Sequence, residues 1–195
     1  MQIRIMCLMA GAAVLAGCAA SPAPRHFTLS ERQAATLPQG VTPSIVITQT
    51  TLPDLIDRPQ LVLRRSDNRV SIDETRRWAE PLRRDIPRVL ADELGQRLDS
   101  GRVFSLPIDG QNLDADFRLI LDVQRLEAVE GEGAQVDVVW RLLPRQGTPS
   151  IGRSVLREAS ESDDAEALVA AQRRAMKAVA ADIAVKVSQL MEKRP

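Results

Sequence analysis

The sequence predicts a single α/β domain of α+β character, in which a mixed, mostly antiparallel β-sheet is flanked by two long α-helices. Three patterns carry that expectation. From Phe117 to Gln124, and again from Val136 to Leu142, apolar and polar residues alternate with period two, as a strand with one buried face requires. From Trp78 to Leu98 apolar residues recur every three or four positions, which puts them on one stripe of a helix. After Ser162-Asp163-Asp164 an Ala-rich run with the same spacing continues to about Glu192. At 195 residues the chain fits one domain or at most two small ones and can bury a core without disulfides.

The first expected segment is a leader. Arg4 precedes an apolar run from Ile5 to Ala16. That run is too short to span a bilayer, which takes about 20 apolar residues, but it suits a signal-peptide core. Leu15-Ala16-Gly17-Cys18 closes it and resembles the lipobox of a bacterial lipoprotein signal. The resemblance implies cleavage between Gly17 and Cys18, a diacylglycerol thioether on Cys18 and an N-acyl chain on the freed amino group. The alternative is an ordinary secretory leader with an incidental cysteine. The small residues and the thiol fall together at the end of the apolar run, which favours the lipoprotein reading. The expected partition is a signal peptide over 1–17, a lipidated tether over 18–25 and a folded domain over 26–195. One acyl chain gives an association constant of only about 10⁴ M⁻¹, whereas two or three make the anchor effectively permanent. In enterobacteria an aspartate after the lipidated cysteine favours inner-membrane retention. Ala19 stands there, so the periplasmic face of the outer membrane is the expected location.

Ala19 to Arg25 is a short Pro-containing tether whose seven residues reach at most about 25 Å. His26-Phe27-Thr28-Leu29 reads as a first strand, followed by a polar segment with turn residues Pro38 and Gly40. Ser44 to Gln49 is a β-branched strand, and the two prolines between Leu52 and Pro59 predict a tight turn or one helical turn. Gln60 to Arg65 is a strand that turns at Ser66-Asp67-Asn68 to pair with Arg69 to Ile72. Trp78, Leu82, Ile86, Val89/Leu90, Leu94 and Leu98 form the first helical stripe, with Pro81 in its first turn. Pro87 predicts either a kink or a regular helix starting near it, and Ser100-Gly101 a plausible end. Strands follow at Arg102–Leu106, from Phe117, from Val136 after the turn Glu130-Gly131-Glu132-Gly133, and at Ile151–Glu158. The final helix would bury Leu168, Ala175, Val179, Ile183, Val187 and Leu190.

Composition excludes several functions. Removing the leader takes away Arg4 and no acidic residue, leaving 25 basic against 26 acidic side chains. A net charge near −1 offers no footprint for nucleic acid. Cys7 leaves with the leader and Cys18 carries lipid, while His26 is the only histidine, so a metal site built on Cys and His is excluded by count. That lone histidine lies beside the tether, where no Ser-His-Asp arrangement is expected, and no phosphate-loop motif occurs. The chain reads as a non-enzyme with no cofactor beyond the lipid on Cys18. Trp78 and Trp140 fit a core better than an exposed anchor. The apolar run Val136 to Leu143 could line a lipid groove, though only its apolarity suggests so. The pairs Arg64-Arg65, Arg76-Arg77, Arg83-Arg84 and Arg173-Arg174 are interleaved with acids and read as solvated faces.

Two segments carry a resemblance. Arg58-Pro59-Gln60-Leu61-Val62 and Arg77-Trp78-Ala79-Glu80-Pro81-Leu82, with the lipobox and the first strand, occur in the order found in the ABC-type transport auxiliary lipoprotein family, which includes the PqiC-like lipoproteins. His26-Phe27 departs from the aromatic pair ending in Tyr that is usual there. The resemblance covers nearly the whole mature chain and makes Arg58, Pro59, Trp78 and Pro81 signature positions of structural character. It implies an accessory role in envelope lipid transport, beside a tunnel-forming MCE-domain (mammalian cell entry) protein and its inner-membrane transporter, with the lipoprotein docking the tunnel at the outer membrane. A structural envelope lipoprotein that handles no lipid is the alternative. A homo-oligomeric ring would match a tubular partner, but no residue demands one.

Overall fold

The computed structural model describes residues 23–31, 38–105 and 114–193. The leader with Gly17, and Cys18 with the start of the tether, lie outside the described residues, as does Leu106 at the end of one expected strand. Eight strands form one mixed sheet: β1 (Arg25–Phe27), β2 (Ile45–Thr51), β3 (Gln60–Ser66), β4 (Arg69–Trp78), β5 (Val103–Ser105), β6 (Phe117–Val129), β7 (Gly133–Pro144) and β8 (Ser150–Ala159). Two helices accompany them, α1 (Leu82–Arg97) and α2 (Ala165–Glu192).

The backbone of the sheet is the antiparallel meander β6–β7–β8. It pairs from Phe117↔Pro144 to Val129↔Gly133 and from Gly133↔Ala159 to Leu142↔Ser150. Gly131 and Gly133, at φ +77° and +116°, make the β6–β7 turn in the left-handed region that glycine enters freely. A Cβ on Gly133 would also stand 2.1 Å from the Glu158 carbonyl oxygen. The other edge of β6 is shared by two parallel neighbours. β2 pairs along its first half, from Ile45↔Phe117 to Thr51↔Asp122, and β3 meets its last two residues. β3 then pairs antiparallel with β4, β4 carries β1 in parallel, and β5 lies parallel to β2. The antiparallel ladders are the long ones, so both predicted qualities of the sheet, mixed and mostly antiparallel, hold.

Both helices lie on one face. α2 crosses β6, β7 and β8, and α1 packs against α2, β2 and β5. The core between them takes alternate residues of the strands, among them Phe117, Leu119 and Leu121 of β6 and Val136, Val138, Trp140 and Leu142 of β7. Each is worth about 1.5–3 kcal/mol when fully buried. From α2 come Leu168, Ala175, Val179, Ile183 and Val187, as the spacing predicts, while Leu190 is only partly buried. The inward residues between Val136 and Leu142 therefore pack beneath a helix and line no lipid groove.

Three elements differ from expectation. β4 runs ten residues instead of four, and Trp78 ends it rather than opening the helical stripe. The side chain is still core, 6% exposed. The cause is Pro81: it holds the preceding residue in extended conformation and stands at the N-cap with ψ 130°, so the helix begins at Leu82. Pro87 does not delay that start, because α1 is continuous through it. The helix ends at Arg97, and the left-handed residue after it is Asp99 at φ +47°, with Ser100 N donating to the Gly95 carbonyl. β1 stops at Phe27, and Thr28 and Leu29 leave the sheet for a different partner.

Candidate functional site at the N-terminal corner

That partner is Asp85, in the first turn of α1 and 1% exposed. Its Oδ2 accepts from the Leu29 backbone N–H at 2.9 Å and the Thr28 hydroxyl at 3.1 Å. Its Oδ1 accepts from the Ser30 hydroxyl at 3.0 Å and Arg88 Nη2 at 2.8 Å. Every bond is made to a carboxylate, which roughly doubles its strength over a neutral pair. The Leu29 side chain between them is fully buried. One buried carboxylate thus fastens the three residues that follow β1.

The signature residues meet at the same corner. Pro59 accepts from Trp78 N at 2.7 Å, and Phe27, opposite Trp78 in the β1–β4 ladder, accepts from Ala79 N at 2.7 Å. The Pro81 carbonyl accepts from the N–H groups of Arg84 and Asp85, which sets the first turn of α1 and so places the Asp85 carboxylate. Arg58 closes the preceding turn by donating from Nη2 to the Asp54 carbonyl at 3.3 Å. Within that turn Ile56 N and Asp57 N both donate to the Pro53 carbonyl, the single helical turn the prolines predict. Pro59 and Trp78 thus join the start of β3 to the end of β4 beside β1, Pro81 sets the first turn of α1, and Arg58 closes the turn before β3.

Two further contacts secure the corner. Glu31 reaches α2, accepting from Lys177 Nζ at 2.7 Å beside Arg173 at 3.1 Å. The Lys177 bond, helped by the Arg173 charge, holds the Glu31 carboxyl below the usual carboxylate range. Asp73 accepts from the Thr75 hydroxyl and amide across the bulge where β4 turns towards β1. Those bonds, with Arg76 and Arg25 nearby, keep its carboxyl low as well. Of the eight arginines in the predicted solvated pairs, Arg64, Arg65, Arg76, Arg83, Arg173 and Arg174 each form an ion pair.

His26 is exposed on β1, and among the described residues no three His, Cys, Asp or Glu side chains converge to hold a metal. A groove of about 560 Å³ opens at the end of the sheet between Gln146 and Lys193. Its one carboxylate, Asp116, accepts from Ser44 N and Ser44 Oγ at 2.9 Å. Sequence reasoning missed Asp85, although a signal existed: an aspartate one residue before Ile86 and four before Val89 stands on the buried side of the helical wheel.

A family model described as "ABC-type transport auxiliary lipoprotein component" matches residues 27–184, from the last residue of β1 into the last third of α2. The chain belongs to this family. As an auxiliary lipoprotein it works with a transport system, and no helix among the described residues is long and apolar enough to cross a membrane. Two solved structures share the fold. One, titled only as an uncharacterized protein, superposes with a TM-score of 0.68 at 18% identity, covering 85% of this chain and 99% of its own. The other, from Xanthomonas campestris, gives 0.59 at 18% identity, covering 88% and 98%. No curated protein sequence matches this one.

Proposed function

We propose that this auxiliary lipoprotein is held to the periplasmic face of the outer membrane by lipid on Cys18, and that it seats the far end of an MCE-type lipid tunnel there. The observation that supports the reading best is the fastened corner. A tether of at most about 25 Å leads into a short strand that is locked to both layers of the fold: through Phe27 to β4, through Leu29 to α1 and through Glu31 to α2. Attachments of this kind let the N-terminus carry load from an anchor into both layers of the fold.

Solubilising the membrane in mild detergent and capturing the tagged full-length chain tests the proposal. An MCE-domain protein should co-purify, and membrane-lipid composition should change when the gene is deleted. Capture without any such partner contradicts the docking role. Capture of a different envelope complex with unchanged lipid composition supports instead a structural lipoprotein that handles no lipid.

A further inference from the structure

The face of the sheet opposite the helices has no covering helix among the described residues, and its chemistry is unusual for a solvated surface. Its composition follows from the register: Ile120, Arg141 and Ile151 share one outward row, and Asp122, Val139 and Arg153 share the next. Six large apolar side chains are exposed among the described residues, and four of them, Ile72, Phe104, Ile151 and Val155, sit here. Ile151 and Val155 are the most open of the four, at 71% and 65%. Arg64, Arg118, Arg125, Arg141, Arg153 and Arg157 project from the same face against Asp122, Asp137, Glu127 and, beside Ile72 on β4, Glu74, so arginines outnumber these carboxylates six to four. Arg118, Arg141 and Arg157 form no ion pair with a described residue. The end of the molecule at the β6–β7 turn has the opposite character, with Glu130, Glu132, Glu161, Asp163 and Asp164 all exposed.

We propose that this bare, arginine-rich face lies flat on the phospholipid headgroups of the anchoring membrane. The inference rests on the lipidation of Cys18 and names the surface that lipidation presses against the bilayer. Reach permits it. β1 is an edge strand of the sheet, Cys18 lies within about 25 Å of Arg25, and the side chains of a sheet face extend only about 5 Å from its backbone, half the spacing of packed sheets. Charge selects it. Guanidinium groups pair bidentately with phosphate, exposed isoleucine, valine and phenylalanine suit the boundary between headgroups and acyl chains, and an upright posture would bring the acidic end against anionic lipid. Lying down leaves the helical layer, with Val185 exposed on α2, free for protein partners.

The acylated full-length protein in vesicles of phosphatidylethanolamine and phosphatidylglycerol with brominated acyl chains provides the test. A single cysteine carrying an environment-sensitive fluorophore replaces Val155 on the bare face or Val185 on the helical layer; Cys18, blocked by lipid, takes no label. Bromolipid should quench the V155C probe at least about twofold more than the V185C probe. The triple variant R118E/R141E/R157E should abolish that difference while keeping the wild-type circular dichroism. Equal quenching at both sites, quenching confined to V185C, or none at either overturns the proposal. So does shielding of V155C that follows protein density without lipid, since a second copy would then cover the face. The N-terminal mass of the same preparation separates two failures. A diacylglyceryl Cys18 with an unquenched V155C probe rejects the posture alone, whereas an unmodified Cys18 rejects the anchor and the posture with it.

Discussion

Replacing Asp85 with alanine removes the acceptor for four hydrogen bonds, and the structure says which losses matter. The hydroxyls of Thr28 and Ser30 are partly exposed and can turn to water at little cost. Arg88 is 44% exposed and keeps Glu80 as a second partner, so its share is a surface ion pair of at most about 1 kcal/mol. The Leu29 N–H is different. It points into the interior beside a fully buried side chain, and a buried donor left unsatisfied costs about 1–3 kcal/mol. D85A should therefore lower stability by about 1–4 kcal/mol in urea denaturation with an unchanged slope. D85N keeps one oxygen and should lose less. Hydrogen exchange should accelerate first in residues 25–31, because the cost falls where β1 is fastened. A D85A protein within 0.5 kcal/mol of wild type, with unchanged exchange in that segment, would refute the claim that one carboxylate secures the corner.

Two other perturbations follow from the geometry. Trp140 lies over Gly152 and donates from Nε1 to Ser154 Oγ at 3.2 Å, and Ser154 in turn donates to Asp182 of α2 at 2.6 Å. A Cβ on Gly152 would stand 2.1 Å from Trp140 Cζ2, so G152A should displace the indole, cost about 1–3 kcal/mol and shift tryptophan fluorescence in the folded state. An unshifted spectrum with full stability would contradict it. Asp137 is held below the usual carboxylate range by its two hydrogen bonds from Arg153. Its stabilisation is present above the unfolded-state value near 4 and is lost as the pH falls through the lower folded value. D137N should lower the neutral plateau of a melting-temperature profile slightly and converge with wild type as the pH falls below about 4, so its acid limb is flatter, and 1 M salt should shrink the neutral difference.

The legible parts of this fold are the local ones. The β6–β7 hairpin announces itself through two alternating runs joined by two glycines, and α2 through a long apolar stripe after an acidic start. Both depend on neighbours in sequence. Trp78 was misread because a tryptophan four residues before Leu82 satisfies helical spacing and a buried strand end equally well, and only the punctuation by Pro81 separates the two. The order of strands was not legible at all. Nothing local says that β2 and β3 share one edge of β6, since Ile45, Ile47, Leu61 and Leu63 are buried in a core whose other members lie far along the chain. The site divides the same way. The signature segments were visible, but their purpose was not, because Asp85 meets a backbone donor 56 residues earlier. A charged residue on a helix also reads as solvated until its partner is known. The chain Trp140–Ser154–Asp182 escaped for the same reason.

Anchoring and docking at the membrane both depend on what is bonded to one sulfur. Mass spectrometry of the N-terminal peptide, taken from the chain exported and matured in a bacterium that processes lipoproteins, asks that directly. The account predicts a mature chain that starts at Cys18 and carries a diacylglycerol thioether with a further acyl group on the amine. A mature terminus elsewhere, or an unmodified Cys18 on a protein released freely into the periplasm, would contradict it.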